Sequence, residues 1–135
     1  MPANTTITFN ATLNGASETP PNASTGTGTA IFTYNTATNV LSGSVTFAGI
    51  TATAAHIHYG AVGVAGPVVF PLGSSPITSP ISFTSVPLTT TQSTELLANQ
   101  FYVNVHSAAF PNGEIRGQLL QPNPTGNGGG GGGGY

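Results

Sequence analysis

Segments in which hydrophobic and polar residues alternate recur along the first 120 positions of the chain. In residues 7–13 every second side chain is apolar, whereas Thr and Asn fill the positions between. Such alternation, with many β-branched and aromatic residues, is typical of strands that bury one face. The pattern predicts eight strands: Thr5–Leu13, Thr29–Asn35, Val40–Phe47, Thr53–Tyr59, Pro67–Pro71, Ile81–Val86, Gln100–Ser107 and Glu114–Leu120.

The segments between the predicted strands are rich in residues that favour turns. Asn35–Asn39 separates two strands at hairpin distance, and Pro111–Gly113 separates the last two. Many short strands joined by such turns predict an all-β fold. The expected architecture is an antiparallel Greek-key or immunoglobulin-like β-sandwich.

One short helix is predicted among the strands. It covers Gln92–Asn99, because Thr91 is a suitable N-cap residue directly before it. Leu96 and Leu97 are expected to pack against the core.

The composition changes abruptly after Leu120. Residues 1–120 are therefore predicted to form one β-sandwich domain, and residues 121–135 an extended tail that includes seven consecutive glycines, Gly128–Gly134. One interpretation of the tail is a flexible linker. The other is an assembly segment that a neighbouring subunit accepts as an added strand, which would make the protein a homo-oligomer or a filament.

Formal charge is almost absent from the chain. Only four side chains carry it, namely Glu18, Glu95, Glu114 and Arg116. One Arg cannot neutralise the phosphates that a nucleic-acid-binding protein contacts, so that class is excluded. Nearly uncharged surfaces suit secreted or assembled proteins better than freely diffusing ones, which favours an extracellular or cell-surface location. No apolar run reaches the ~20 residues that span a bilayer.

The three histidines of the chain fall in two predicted strands. His56 and His58 are two residues apart, so both imidazoles project from one face while Ile57 points to the core. In the other strand alternate residues are apolar, and His106 projects from the opposite face. The three imidazoles converge if the two strands are neighbours.

Three converging imidazoles would form a metal site. Neutral imidazole nitrogen is a good ligand for copper and zinc, and three such ligands leave a position for water or a fourth ligand. The alternative is that the histidines are polar surface residues, hydrogen-bonded to Thr or Asn neighbours. The pattern alone leaves both interpretations open.

Glu114 and Arg116 share a face of the last predicted strand. One interpretation is an ion pair, either between these two residues or between Arg116 and Glu18. The other is that Glu114 orients or completes the metal site as a nearby carboxylate. Catalytic triads are poorly supported, because the chain has no Asp and no nucleophile-elbow motif.

Several motifs resemble those of the CHRD (chordin-type) domain family. They are Phe9–Pro21, Ala55–Gly60 with Gly66–Val69, Tyr102–His106 and Pro111–Leu119. They occur in order and with family-like spacing over residues 7–120. The resemblance implies an extracellular β-sandwich and brings no defined enzymatic activity.

The His-x-His strand followed by a Gly-Pro step is also similar to the copper-binding strand of Cu/Zn superoxide dismutases. This similarity makes copper the leading ion for His56, His58 and His106, with zinc or no metal as alternatives. The zinc-loop Asp and the cysteines of that family are missing. We therefore predict a non-enzymatic extracellular structural or matrix protein that binds copper and self-assembles. A copper-dependent redox enzyme and a metal-free adhesion module are the alternative functions.

Overall fold

The computed structural model of the chain describes residues 6–75 and 77–121. No helix within these residues is long and apolar enough to cross a membrane. Most of the predicted tail, including Gly128–Gly134, lies outside the described residues. The elements along the chain are β1 Thr6–Asn14, a 3-10 helix Gly15–Ser17, β2 Thr27–Asn35, β3 Val40–Ala48, β4 Ala52–Tyr59, β5 Val68–Ser74, β6 Ile81–Thr84, α1 Thr90–Leu97, β7 Phe101–Ser107 and β8 Ile115–Gln118.

The eight strands form one antiparallel sheet in the order β5-β4-β7-β8-β1-β2-β3-β6. The edge strands β5 and β6 approach each other, with the ring centroids of Phe70 and Phe83 5.5 Å apart. The sheet therefore curls into a nearly closed barrel around a single core. The predicted all-β antiparallel class is confirmed, and the two layers of the predicted sandwich are halves of one continuous sheet.

Successive side chains of each strand point alternately to the interior and to the outer face of the sheet. On β1, Phe9 is fully buried whereas Asn10 and Thr12 are exposed. Phe9 lies opposite Phe32 of β2, so the apolar faces of the two strands coincide. The largest fully buried apolar side chains are Phe9, Phe32, Phe101, Leu13, Leu41, Ile57, Leu96, Ile115 and Leu119.

The helix begins two residues earlier than predicted, and its N-cap is Thr89 rather than Thr91. The Thr89 hydroxyl accepts a hydrogen bond from the Gln92 backbone N–H, and the Gln92 side chain accepts one from the Thr89 backbone N–H. This reciprocal capping box satisfies two otherwise unpaired donors. Leu96 is buried as predicted, but Leu97 is exposed, because consecutive helical residues point about 100° apart.

Some strand ends also differ from the prediction. β5 continues to Ser74 instead of ending at Pro71. β8 contains only four residues, and Leu120 beyond it forms an isolated bridge with Asn10. Neither difference moves a histidine to another face of the sheet.

Candidate metal centre

β4 and β7 are adjacent antiparallel strands, and their register brings the three histidines together. His56 lies opposite Asn104, and His106 lies opposite Ala54, diagonal to His56. Ile57 is fully buried between the two histidines of β4, so the imidazoles project from the outer face, as the alternation predicts. The strand adjacency, which the sequence pattern leaves open, is what makes the histidines converge.

The pairing of β4 with β5 is irregular where β4 carries its histidines. The register shifts between Ala55 and His56, and again between Ile57 and His58. Such irregularities bend a strand and change the direction of its side chains. The two imidazole rings of β4 lie 5.4 Å apart at 87° to each other.

One nitrogen atom from each histidine lies within 4.8 Å of the corresponding atoms of the other two. His56 Nδ1 is 3.0 Å from His106 Nε2. Nitrogen ligands about 2 Å from a common ion lie roughly 3–4 Å from one another. The three histidines therefore need only small ring movements to hold one transition-metal ion. His58 is buried, and the other two histidines are half-buried.

Two backbone carbonyl groups fix the orientation of two of the rings. His58 Nδ1 lies 2.9 Å from the Gly66 oxygen, and His106 Nδ1 lies 2.9 Å from the Pro111 oxygen. A carbonyl oxygen only accepts hydrogen bonds, so each neutral ring carries its proton on Nδ1 and a lone pair on Nε2. Both lone pairs then point towards the cluster, as metal binding requires.

Asn104 lies inside the cluster, although the sequence analysis assigned no role to this residue. Its side chain is 4% exposed. Its Oδ1 atom is 3.0 Å from His58 Nε2 and 3.1 Å from His106 Nε2. The available signal was its place on β7, two residues before His106 and therefore on the same face.

The surroundings of the site favour neutral imidazoles. Burial lowers the pKa of His56 below its ordinary value, and the neighbouring histidines lower it further. Burial also lowers the pKa of His58, and this effect outweighs the opposing hydrogen bond to the Gly66 carbonyl. The neutral form is the one that binds transition metals.

A stack of planar groups extends from His58 into the protein. The rings of His58 and Tyr102 are nearly parallel, 4.8 Å apart. The Arg116 guanidinium lies over the Tyr102 ring, 3.4 Å from its centroid. Its terminal nitrogens donate to Thr19 Oγ1 and to the Ala61 oxygen. Arg116 thus places a buried positive charge close to the histidines and ties two loops to the outer face of the sheet.

The carboxylate of Glu114, directly before β8, contacts a different part of the protein. It accepts a hydrogen bond of 2.6 Å from the Ser24 hydroxyl. The Nδ1–H groups of His58 and His106 donate to backbone carbonyl groups and not to this carboxylate. A role for Glu114 near the metal stays a prediction.

Glu18 is the acidic group that acts electrostatically on Arg116. Its side chain is only 5% exposed, and burial raises its pKa from 4.5 to about 6, against the opposing effects of the Thr19 backbone and Arg116. Its Oε2 atom has no hydrogen-bond partner within the described residues. Both Glu18 and Arg116 line a cleft of about 780 Å³ that also includes Val62 and Leu120.

Comparison with known proteins identifies the family. The model of the CHRD domain matches residues 9–119, which span all three histidines and Asn104. A search of curated proteins and a search of solved structures each found no match. Because the family model covers most of the chain, the chain belongs to the CHRD domain family.

Proposed function

We propose that this CHRD domain is an extracellular structural or matrix protein that binds a transition metal, with copper the leading ion, through His56, His58 and His106. CHRD domains occur in extracellular and secreted proteins, which supports the location. The observation that carries the metal proposal is the convergence of three imidazole nitrogens within 4.8 Å. The backbone carbonyls that keep two Nε2 lone pairs directed at the cluster give it further support.

The donor set favours copper over other common ions. Three neutral imidazoles suit copper and zinc, and at a nitrogen site copper binds more tightly than zinc. The buried positive charge of Arg116 lies nearby and repels any bound cation. The site therefore needs an ion that imidazole binds strongly. Zinc is the alternative ion for the same ligands.

The nearly uncharged surface supports the proposed structural role and self-association. Three of the four charged side chains, Glu18, Glu114 and Arg116, are buried, and Glu95 is half-buried. Copies of the domain therefore approach one another with little electrostatic repulsion. Exposed valines at 62, 64 and 68 add apolar surface, and Val68 lies opposite His58 on the neighbouring strand. These features support assembly of copies, with a filament as one form.

A copper-dependent redox enzyme is the second candidate, and the position of Arg116 favours it. A cation near a copper ion attracts small anions such as superoxide. However, the guanidinium is 2% exposed and already donates to two oxygens, which limits its access to substrate. Superoxide turnover by copper-loaded protein that is lost in His106→Ala would support the enzyme; no turnover would support the structural role.

The first experiment measures copper binding by the purified metal-free protein, with a chelator as competitor and elemental analysis as readout. We expect about one copper ion per chain. The double variant His56→Ala/His58→Ala should lose this binding. The control is Thr29→Ala/Ile31→Ala, which changes two exposed residues on one face of β2 and should bind copper normally.

Two results would contradict the metal proposal. One is the absence of specific binding by the wild-type protein, and the other is equal binding by the histidine variant. Either result would leave a metal-free adhesion or protein-binding module as the better interpretation.

A further inference from the structure

The amide of Asn104 faces two imidazole nitrogens at once. Asn104 Oδ1 lies 3.0 Å from His58 Nε2 and 3.1 Å from His106 Nε2. The residue is buried on β7 and lies opposite His56 across the β4–β7 pair. Its oxygen is therefore held among the nitrogens of the site by the strand register, and not by a mobile loop.

In this arrangement Asn104 Oδ1 and the two Nε2 atoms that it faces are all acceptors, and of these His106 Nε2 also lies 3.0 Å from His56 Nδ1, which can donate to it. The two Nδ1–H groups are used by the carbonyls of Gly66 and Pro111, so each Nε2 of a neutral ring carries a lone pair. An amide oxygen also only accepts hydrogen bonds. Acceptors about 3 Å apart repel one another unless a proton or a cation lies between them.

We propose that Asn104 Oδ1 is a fourth ligand of the ion, beside the three histidines; this rests on the proposed metal site. Its distances to the two nitrogens fall in the roughly 3–4 Å range expected between ligands of one ion. An amide oxygen is a weaker ligand for copper than imidazole, and such oxygens serve as long axial ligands at copper sites. The site would then offer three nitrogens and one oxygen, all from β4 and β7.

A different role for the same residue makes the opposite prediction. If the amide were flipped, its NH₂ group would donate one hydrogen bond to each Nε2 and stabilise the metal-free site. Removal of the amide would then raise copper affinity instead of lowering it. Asp in place of Asn keeps an oxygen ligand but has no NH₂ group to donate. Leu has a similar volume and offers neither.

The test compares copper affinity in the wild type, Asn104→Asp and Asn104→Leu, at a pH above neutrality. We expect Asn104→Leu to lower the affinity roughly 10- to 100-fold, the range observed when groups around a metal are removed. Asn104→Asp should retain wild-type affinity or exceed it. Asn10→Leu, at an exposed position of β1, is the control and should bind as the wild type does.

A second readout needs no affinity measurement. In ¹⁵N-labelled wild-type protein, addition of Zn²⁺ as a diamagnetic probe should shift the side-chain NH₂ signals of Asn104 and leave those of Asn10 in place. If Asn104→Leu fails to fold, this readout still tests the inference, because unshifted Asn104 signals in zinc-loaded protein would overturn it.

The outcomes separate this inference from the metal site itself. Copper binding by the wild type with equal affinity in Asn104→Leu would overturn the ligand role of Asn104 alone. Higher copper affinity in Asn104→Leu than in the wild type would also overturn it, because it would indicate that the amide acts as a donor that stabilises the metal-free site. A wild-type protein that takes up neither copper nor zinc would overturn the metal site and the fourth ligand together.

Discussion

Gly66 shows how a single residue without a side chain orients a histidine. Its carbonyl accepts the hydrogen bond from His58, and its N–H donates to the Tyr102 hydroxyl. A Cβ atom at this position would overlap the carbonyl oxygen of Tyr59. Any larger residue must therefore move the loop that fixes the His58 ring.

Gly66→Ala is expected to weaken both the fold and the proposed metal site. Forcing a methyl group into a packed position costs about 1–3 kcal/mol of unfolding free energy. Release of the His58 ring should lower copper affinity roughly 10- to 100-fold. Chemical denaturation and copper titration measure the two effects.

The control for this variant is Gly73→Ala. A Cβ atom there meets nothing closer than 3.7 Å, so stability and copper affinity should hardly change. Normal copper binding by Gly66→Ala would contradict the role assigned to its carbonyl.

Glu18 makes stability depend on pH in an unusual direction for a carboxylate. Its pKa is raised by burial from 4.5 to about 6 in the folded state. Between these values the folded chain keeps a proton that the unfolded chain has released. The stabilisation that the buried, protonated Glu18 gives to the folded state is therefore complete below pH 4.5. It is lost as the pH rises through about 6.

Glu18→Gln should remove this pH dependence. Above pH 6 we expect the free energy of unfolding of the variant to exceed that of the wild type by up to about 2 kcal/mol. Below pH 4.5 the two free energies should be equal. His56 and His58, whose pKa values are lowered, act in the opposite sense, because their contribution is lost as the pH falls. The informative quantity is thus the difference in unfolding free energy between variant and wild type at each pH.

Glu95→Gln, in a half-exposed position of α1, is the matched control for this measurement. A Glu18→Gln difference that stays constant from pH 4 to pH 8 would contradict a raised pKa for the buried carboxyl.

At the scale of elements, the cap of α1 distinguishes the structure from the sequence prediction. Thr89→Ala removes the hydroxyl that accepts from Gln92 and should cost about 1 kcal/mol of stability. Thr91→Ala, at the position predicted from the sequence, lies inside the helix and should be neutral or slightly stabilising. Thermal unfolding of both variants measures the difference, and a larger loss in Thr91→Ala would contradict the observed cap.

The two edge strands are poorly suited to accept a further strand. β6 has only four residues, and β5 contains Pro71 and two register shifts. Short strands, prolines and bulges at an edge disfavour pairing with another chain. Assembly through strand addition at β5 or β6 is therefore disfavoured, although the sequence predicted strand addition as one role of the tail.

At the scale of the whole molecule, the nearly uncharged surface bears on the proposed self-association. We expect self-association to change little between low and high NaCl, because screening acts on exposed charges. Removal of residues 122–135 should weaken it; Gln121 is retained because it hydrogen-bonds to Asn99 and Leu97. Sedimentation velocity at matched concentrations measures both effects. Intact polymers from the shortened protein would exclude a role of the tail in assembly.

The sequence by itself determined the strands, their inward faces and the common face of the histidines. These properties follow from period-two alternation, which depends only on neighbouring residues, and the positions of Phe9, Ile57 and His106 illustrate it. The burial of Arg116 and Glu18 was not predicted, because loops distant in sequence cover the outer face of the sheet.

Only the tertiary structure decided which strands are neighbours and which groups surround the histidines. The pairing of β4 with β7 joins residues about 50 positions apart, and no local pattern encodes such a pairing. The same pairing places Asn104 between two imidazoles and the Gly66 and Pro111 carbonyls behind them. The sequence thus supplied the side-chain types of the candidate site, and long-range packing supplied their distances and orientations.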